Sequence, residues 1–379
     1  MKERLYIGLI MAGLIFLPFT TNGQHKEENS TTTETLESSE HNTGHQADEA
    51  EGHKEEGFNA GDFIFDHIAD GYEWHLITYK DNHISIPLPI IVFSKTKGLH
   101  VFMSNKLHHG HKDFNGFRYQ LEGNYRHKVV EIMEDGSVQR PMLDLSITKD
   151  VFAIFVSIAL MLWIFVSAGK MYKKRGIAPP KGIQSFIEPV IIFIRDDVAK
   201  PAIGEKDYER YMPYLLTLFF FILINNLMGL IPVIGGANVT GNIAVTLVLA
   251  VFTFLFTTFT GNRHYWKEIV NAPGVPVWLK VPLPLMPIIE IVGMFTKPFV
   301  LMIRLFANIT AGHIVALGFY SLIFIFGNME PAIGYGASVF TIIFTVFMSF
   351  LELLVAFIQA YVFTLLSSLY FGMARAEHH

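Results

Sequence analysis

Arg304 stands in the middle of Ile288 to Phe326, a stretch of 39 residues that is otherwise almost wholly apolar. A guanidinium does not shed its proton, so holding one in hydrocarbon costs roughly 2.5 to 3.5 kcal/mol on insertion scales. A charge kept at that cost calls for a partner. Glu290, Lys297 and Arg304 are spaced seven apart, so at about 100° per residue they drift by only about 20° per step and share one helix face, continued by Asn308 and Ala311. On a second apolar segment Glu352 and Gln359 are also seven apart. With Arg304 set level with Gln359 in an antiparallel pair, His313 lies about 13.5 Å beyond Arg304 and Glu352 about 10.5 Å from Gln359 in the same direction. Glu290 lies about 21 Å the other way. His313 is half a turn from Arg304 and so turns toward its own hairpin mate, where an imidazole beside a carboxylate relays protons. The plainer readings are a buried ion pair for His313 and Glu352, and amides that knit helices together for Asn308 and Gln359.

The elements that position these groups are unusually long. Ile288 to Phe326 and Ala337 to Phe371 are 39 and 35 residues, roughly 58 and 52 Å as helices against a hydrocarbon core of about 30 Å. Upright spanning is excluded. Pro298 permits a break in the first, but the second has no proline, which favours a tilted antiparallel hairpin joined through Gly327 to Gly336. Three shorter segments complete the membrane part. Val151 to Gly169 offers Ser146 or Thr148 as a cap and is followed by Lys170, Lys173, Lys174 and Arg175, a cluster the positive-inside rule assigns to the cytoplasm. Tyr211 to Pro232 returns outward, and Asn242 to Thr260 comes back to Arg263, His264 and Lys267. Phe186 to Ile194 is too short to cross and reads as a surface or re-entrant helix on the cytoplasmic side.

Composition divides the chain near Asp150, the region beyond it being rich in Leu, Ile, Val and Phe and the region before it in His, Glu, Lys and Gly. The formal charge of -5 owes much to Glu27 to Glu56 and carries no suggestion of nucleic acid. With no cysteine there is neither a disulfide framework nor a thiolate metal site. Residues 1–23, with Lys2 and Arg4 ahead of Leu5 to Phe19, read as a signal peptide. An uncleaved anchor would leave the following residues on the same side. Residues 24–57 are polar enough to predict disorder. Residues 58–142 read as a small extracytoplasmic β-rich region, with Trp74, Leu76 and Thr78 alternating before Lys80 to His83, and a turn at Asp135-Gly136. Leu107-His108-His109-Gly110-His111 reads as an exposed loop in preference to a metal site.

The run EIVGMFTKPFVLMIRLFANITAGH from Glu290, together with LELLVAFIQAYVFTLL from Leu351, resembles subunit a of the F-type ATP synthase. FIEPVIIFI from Phe186, YLLTLFFFILINNLMGLIP from Tyr214 and NVTGNIAVT from Asn238 extend the resemblance over residues 143–379. It implies an all-α polytopic membrane domain of about five crossing helices, lying in the bacterial plasma (inner) membrane with the N-terminal region extracytoplasmic and the C-terminus cytoplasmic. It implies a non-catalytic, proton-conducting stator, without cofactor, set against a ring of c subunits, peripheral-stalk b subunits and the F1 head. Arg304 would hold the ring carboxylate ionised and block leakage between two half-channels. Asn308, His313, Glu352 and Gln359, with Asn238, would line the outer path and Glu290 the cytoplasmic one. Many members of the family carry an acid where this chain has His313 and a His where it has Glu352, so the pair is exchanged, which preserves the chemistry if the two touch. The alternative reading, a proton-coupled secondary transporter, calls for internal repeats that this sequence does not display. No GxxxxGK[ST] loop is present, so ATP chemistry is not expected on this chain.

Overall fold

A computed structural model describes residues 59–79, 82–175, 179–231, 237–270, 285–329 and 331–376. The expected signal peptide at 1–23 and disordered segment at 24–57 lie outside the described residues.

The N-terminal unit opens with a helix, where strands alone were expected. In α1 (Ala60–Ile68) the Asn59 carboxamide accepts from the amides of Gly61 and Asp62 at 3.0 and 3.3 Å, satisfying two donors that a first helical turn leaves orphaned. Three small antiparallel sheets follow. β1 (Glu73–Tyr79) pairs with β2 (Asn82–Pro87), placing Trp74 opposite Ile86. β3 (Pro89–Ser94) pairs with both β4 (Gly98–Met103) and β8 (Leu143–Asp144). β5 (Phe117–Tyr119), β6 (Val129–Ile132) and β7 (Val138–Gln139) form the third sheet. The Asp135-Gly136 turn links the last two, with Gly136 at φ +80° and Asp135 accepting from the Ser137 amide at 2.9 Å. Alternation along β3 buries Ile90 and Val92 against Tyr72, Phe102, Leu107, Phe117 and Val129. The His-rich segment is a 3-10 helix, Ser104–Gly110, in which His108 is exposed and Leu107 is sunk into this core.

Five described helices are long and apolar enough to cross a membrane. They are α2 (Lys149–Arg175), α5 (Tyr208–Leu230), α6 (Ile243–Thr260), α8 (Leu285–Met329) and α9 (Pro331–Arg375). Between α2 and α5 a longer helical run than the sequence suggested extends through α3 (Ile183–Phe193), a π-helical segment (Ile194–Ala199) and α4 (Lys200–Ile203). The π segment carries Asp196, ion-paired to Arg195 at 2.8 Å and Lys200 at 2.7 Å. A short α7 (Arg263–Val270) follows α6.

Hydrogen bonds fix which ends lie together. The Lys149 amide donates to Gly71 O at 2.8 Å, so α2 starts against the β unit. Phe63 of α1 meets Phe324 of α8 with ring centroids 6.0 Å apart, so α8 finishes there. At the opposite end the Asn262 amide donates to Ala374 O at 2.9 Å, and Ser368 Oγ donates to Val198 O at 3.2 Å, tying the end of α9 to the π-helical segment and to the residues just after α6. Helix α5 forms the centre, with Leu215, Phe219 and Ile222 fully buried. Tyr211 stacks on Phe371, and Tyr214 on Phe256, each at 4.9 Å.

The long hairpin differs from expectation at its turn. Both helices run 45 residues, about 67 Å if straight, and α8 passes through Pro298 without ending. The glycine-rich connection expected at Gly327 to Gly336 is instead helical on both sides, with α8 reaching Met329 and α9 starting at Pro331. A glycine costs only about 1 kcal/mol in a helix, and backbone bonding in a membrane outweighs it. A proline is well suited to the first helical position.

Candidate functional site

Arg304 is half-buried on α8 and, among the described residues, no carboxylate lies within ion-pair distance of its guanidinium. It lies within electrostatic range of Tyr370 on α9. Lys297, one heptad earlier, stands 5.9 Å from the centre of the Tyr370 ring, so these two cations of the predicted stripe do face the same stretch of α9. Gln359 is buried at 6 % exposure, yet no hydrogen bond joins it to Arg304 among the described residues. Asn308 is exposed. The flank around Arg304 is open: Phe299, Val300 and Ile303 are 58, 42 and 38 % exposed. Within an 18-residue apolar stretch of each helix, only 11 % of α8 is buried, against 61 % of α5.

Toward the β unit, His313 and Glu352 meet across the hairpin, with Nδ1 3.8 Å from Oε1. Two glycines admit them. A Cβ on Gly312 would stand 3.0 Å from Glu352 Oε1, and one on Gly229 would stand 3.2 Å from Ala237 O and 3.6 Å from His313 Nε2. The imidazole therefore sits between the end of α5 and the carboxylate of α9. Glu352 Oε1 accepts no hydrogen bond among the described residues. Asn238 lies in the turn beside this place, where it caps the 3-10 helix Val239–Gly241 by accepting from the Gly241 amide at 3.1 Å. Its Nδ2 is buried without a partner among the described residues.

Glu290 lies at the far end of α8, within electrostatic range of Tyr265 on α7. Burial first, and the Glu290 charge second, raise the Tyr265 phenol above its ordinary pKa. Next to it a small cleft is lined by Thr253, Thr257, Tyr265, Lys297, Tyr370 and Met373. Polar groups thus flank Arg304 toward both ends of the hairpin.

Sequence reasoning missed the amides that hold this geometry. Asn226 Nδ2 donates to Ala356 O at 3.1 Å while its Oδ1 accepts from Thr240 Oγ1 at 2.5 Å, joining α5 to α9 and to the turn that carries Asn238. Asn225 Nδ2 donates to Ser157 Oγ on α2 at 3.1 Å. The Asn225-Asn226 doublet inside an apolar span was the available signal. The cap on α2 was also misassigned. Neither Ser146 nor Thr148 caps with its side chain, Ser146 Oγ instead serving the Ile91 amide at 3.0 Å. The Asp150 amide is taken from 80 residues away, by Asp70 Oδ1 at 3.1 Å. A tertiary cap of that kind has no local sequence signature.

A family described as ATP synthase A chain matches residues 151–372. A domain of unknown function matches residues 63–146. The chain is 45 % identical to ATP synthase subunit a 2 of Chlorobaculum tepidum over 253 residues, covering 64 % of this chain and 68 % of the relative. It is 43 % identical to ATP synthase subunit a 2 of Prosthecochloris aestuarii over 260 residues, covering 66 % of this chain and 76 % of that one. With ATP synthase subunit a of Anaeromyxobacter sp. (strain Fw109-5) it shares 35 % identity over 333 residues, covering 86 % of this chain and 73 % of the relative. That last match is longer than residues 143–379 can accommodate, so it reaches into the β unit.

Proposed function

The chain belongs to the ATP synthase A chain family, whose member is the non-catalytic, proton-conducting stator subunit of the membrane sector, and from that premise we propose that Arg304 is the fixed cation past which protonatable carboxylates of a neighbouring ring move. The observation that carries this reading is the open guanidinium: half-buried at mid-helix, without a carboxylate partner among the described residues, on the hairpin's exposed flank. An acid from another polypeptide would relieve the burial cost of the charge and be held ionised by it. Because arginine keeps its proton, it also denies a direct route between the two polar regions on either side.

In this reading His313, Glu352 and Asn238 form the path on the β-unit side and Glu290 the path on the opposite side, with Asn308 and Gln359 beside the central cation. The basic run Lys170 to Arg175 forms the last turns of α2, at the end remote from the β unit. The positive-inside rule then sets that end in the cytoplasm of a bacterial inner membrane, with the β unit outside. The partners are a ring of c subunits at the open flank, with b subunits and the F1 head reached through the complex. Each elementary charge carried across contributes about 2.3 kcal/mol per 100 mV.

The test is Arg304→Ala in the assembled complex in membrane vesicles. Proton-driven ATP synthesis is expected to vanish while the complex assembles in normal amount. Undiminished synthesis overturns the reading.

A further inference from the structure

The β unit does more than sit beside the helices: it inserts a carboxylate into their ends. Asp70, in the loop after α1, accepts from the Asp150 amide at 3.1 Å. The Asp150 side chain itself is 4 % exposed. One of its oxygens, Oδ2, accepts from Asn242 Nδ2 at 3.0 Å, and the other, Oδ1, is buried with no hydrogen-bond partner among the described residues. A buried carboxylate oxygen left without a donor is costly as an anion and is relieved by a proton. Two neighbouring carboxyls favour the same outcome, since both do not ionise freely in a shared low-dielectric space. Asp70 agrees with this: burial raises its pKa above the ordinary carboxylate value, against the lowering effects of the Asp150 amide, Thr148, Lys149 and Lys128.

The pair also lies toward the polar path proposed above. Lys149 Nζ donates to Ala69 O at 3.1 Å, closing one side of the junction, and both Lys149 and His67 of α1 are within electrostatic range of His313. The groups that face the two carboxyls are therefore Lys149 and Thr148 at the start of α2, Lys128 from the β5–β6 connection, and Asn242 at the start of α6. Lys149 is the group shared between the carboxyl pair and His313.

We propose that the N-terminal β unit forms the outer vestibule of the proton path, and that Asp70 and Asp150 together hold a proton on its way to His313 and Glu352. This rests on the function proposed above and adds to it a proton-binding site built half from the appended unit. The unit's match to a domain of unknown function, and the reach of the Anaeromyxobacter similarity into it, accord with a part that travels with the membrane domain.

The experiment uses the whole complex in liposomes, with passive proton flux through the membrane sector measured after removal of the catalytic head, as a function of pH on the β-unit side. Rates are normalised to assembled complex. Asp70→Asn retains an oxygen to cap α2 but not a proton site, and is expected to lower flux at least threefold and flatten its pH profile. Asp70→Glu is expected to recover at least half the flux, and Tyr72→Phe, which removes a hydrogen bond to Asp144 within the same unit, to leave the profile unchanged. Wild-type flux and pH profile in Asp70→Asn overturn the vestibule, as does a loss in Tyr72→Phe equal to that in Asp70→Asn. Arg304→Ala in liposomes that retain the catalytic head separates the two proposals: if it supports normal coupled synthesis, the parent reading fails, whereas normal flux in Asp70→Asn beside an Arg304→Ala complex inactive in synthesis removes the vestibule alone.

Discussion

His313 and Glu352 are 3.8 Å apart across the helical hairpin, a contact between residues on opposite helices that the two 45-residue elements bring to the same height. If that contact carries protons, exchanging the two chemistries preserves it. The double variant His313→Glu with Glu352→His is expected to sustain proton-driven ATP synthesis several-fold better than either single variant. Losses that simply add in a double-mutant cycle would count against a functional contact.

Gly312 leaves the space in which the Glu352 carboxylate sits, a Cβ there falling 3.0 Å from Oε1 and 3.4 Å from Cγ. Gly312→Ala pushes the flexible end of Glu352 aside without disturbing backbone. The expected result is a complex that assembles normally with coupled synthesis lowered several-fold. Wild-type rates would mean the carboxylate's position is unimportant.

At Gly372 the same substitution meets backbone. A Cβ there would fall 1.9 Å from Ala202 O, a separation that neither α9 nor α4 accommodates without moving. Overpacking of this kind costs typically 1–3 kcal/mol or more. Gly372→Ala is therefore expected to reduce the amount of subunit found in membranes and its resistance to heat in detergent, in contrast to Gly312→Ala. Equal abundance of the two variants would contradict the close seam between α9 and α4.

Asn226 bonds α9 through Ala356 O and the Thr240 hydroxyl through its own oxygen. Asn226→Leu leaves the buried Thr240 hydroxyl without its acceptor, a loss of roughly 1–3 kcal/mol. A lower unfolding midpoint in detergent, by several degrees, is the expected reading. An unchanged midpoint would show that the amide is dispensable to packing.

In the β unit Glu131 is 4 % exposed beside Ser94, Thr96 and Lys97. Burial pushes its pKa up, but the two hydroxyls and the ammonium outweigh it and hold the carboxyl below its ordinary 4.5. The folded value being depressed, its contribution to stability is complete above about 4.5 and is lost as pH falls through the lower folded value. Glu131→Gln is expected to make proteolytic cleavage of the unit independent of pH across that window, where the unsubstituted chain becomes more susceptible on acidification. An unchanged acid response would assign it to another group.

Much of this was readable from residue order because membrane helices obey two simple rules. Length and apolarity mark all five spans, and depth along two antiparallel helices, with rotation of about 100° per residue, brings His313 toward Glu352. The failures have one cause in common: each depends on what lies across a gap in sequence. The helical glycines near 327 to 336 looked like a loop because their neighbours' bonding was invisible. Asp70 and Asp150 are 80 residues apart and show no shared period. Gly229 and Gly372 carry no local signal of the atoms that face them.

Because the first turn of α2 is closed by Asp70 and by Gly71 O instead of by its own flanking side chains, the chain offers no clean place to cut. A version trimmed to start at Lys149 would lose both acceptors, Gly71 O and Asp70 Oδ1, at the start of the helix, along with the Trp74–Phe152 edge contact at 5.1 Å. The soluble portion is thus not detachable cargo, and swapping it between relatives would need the stitched residues at 70, 71 and 150 to be carried over together.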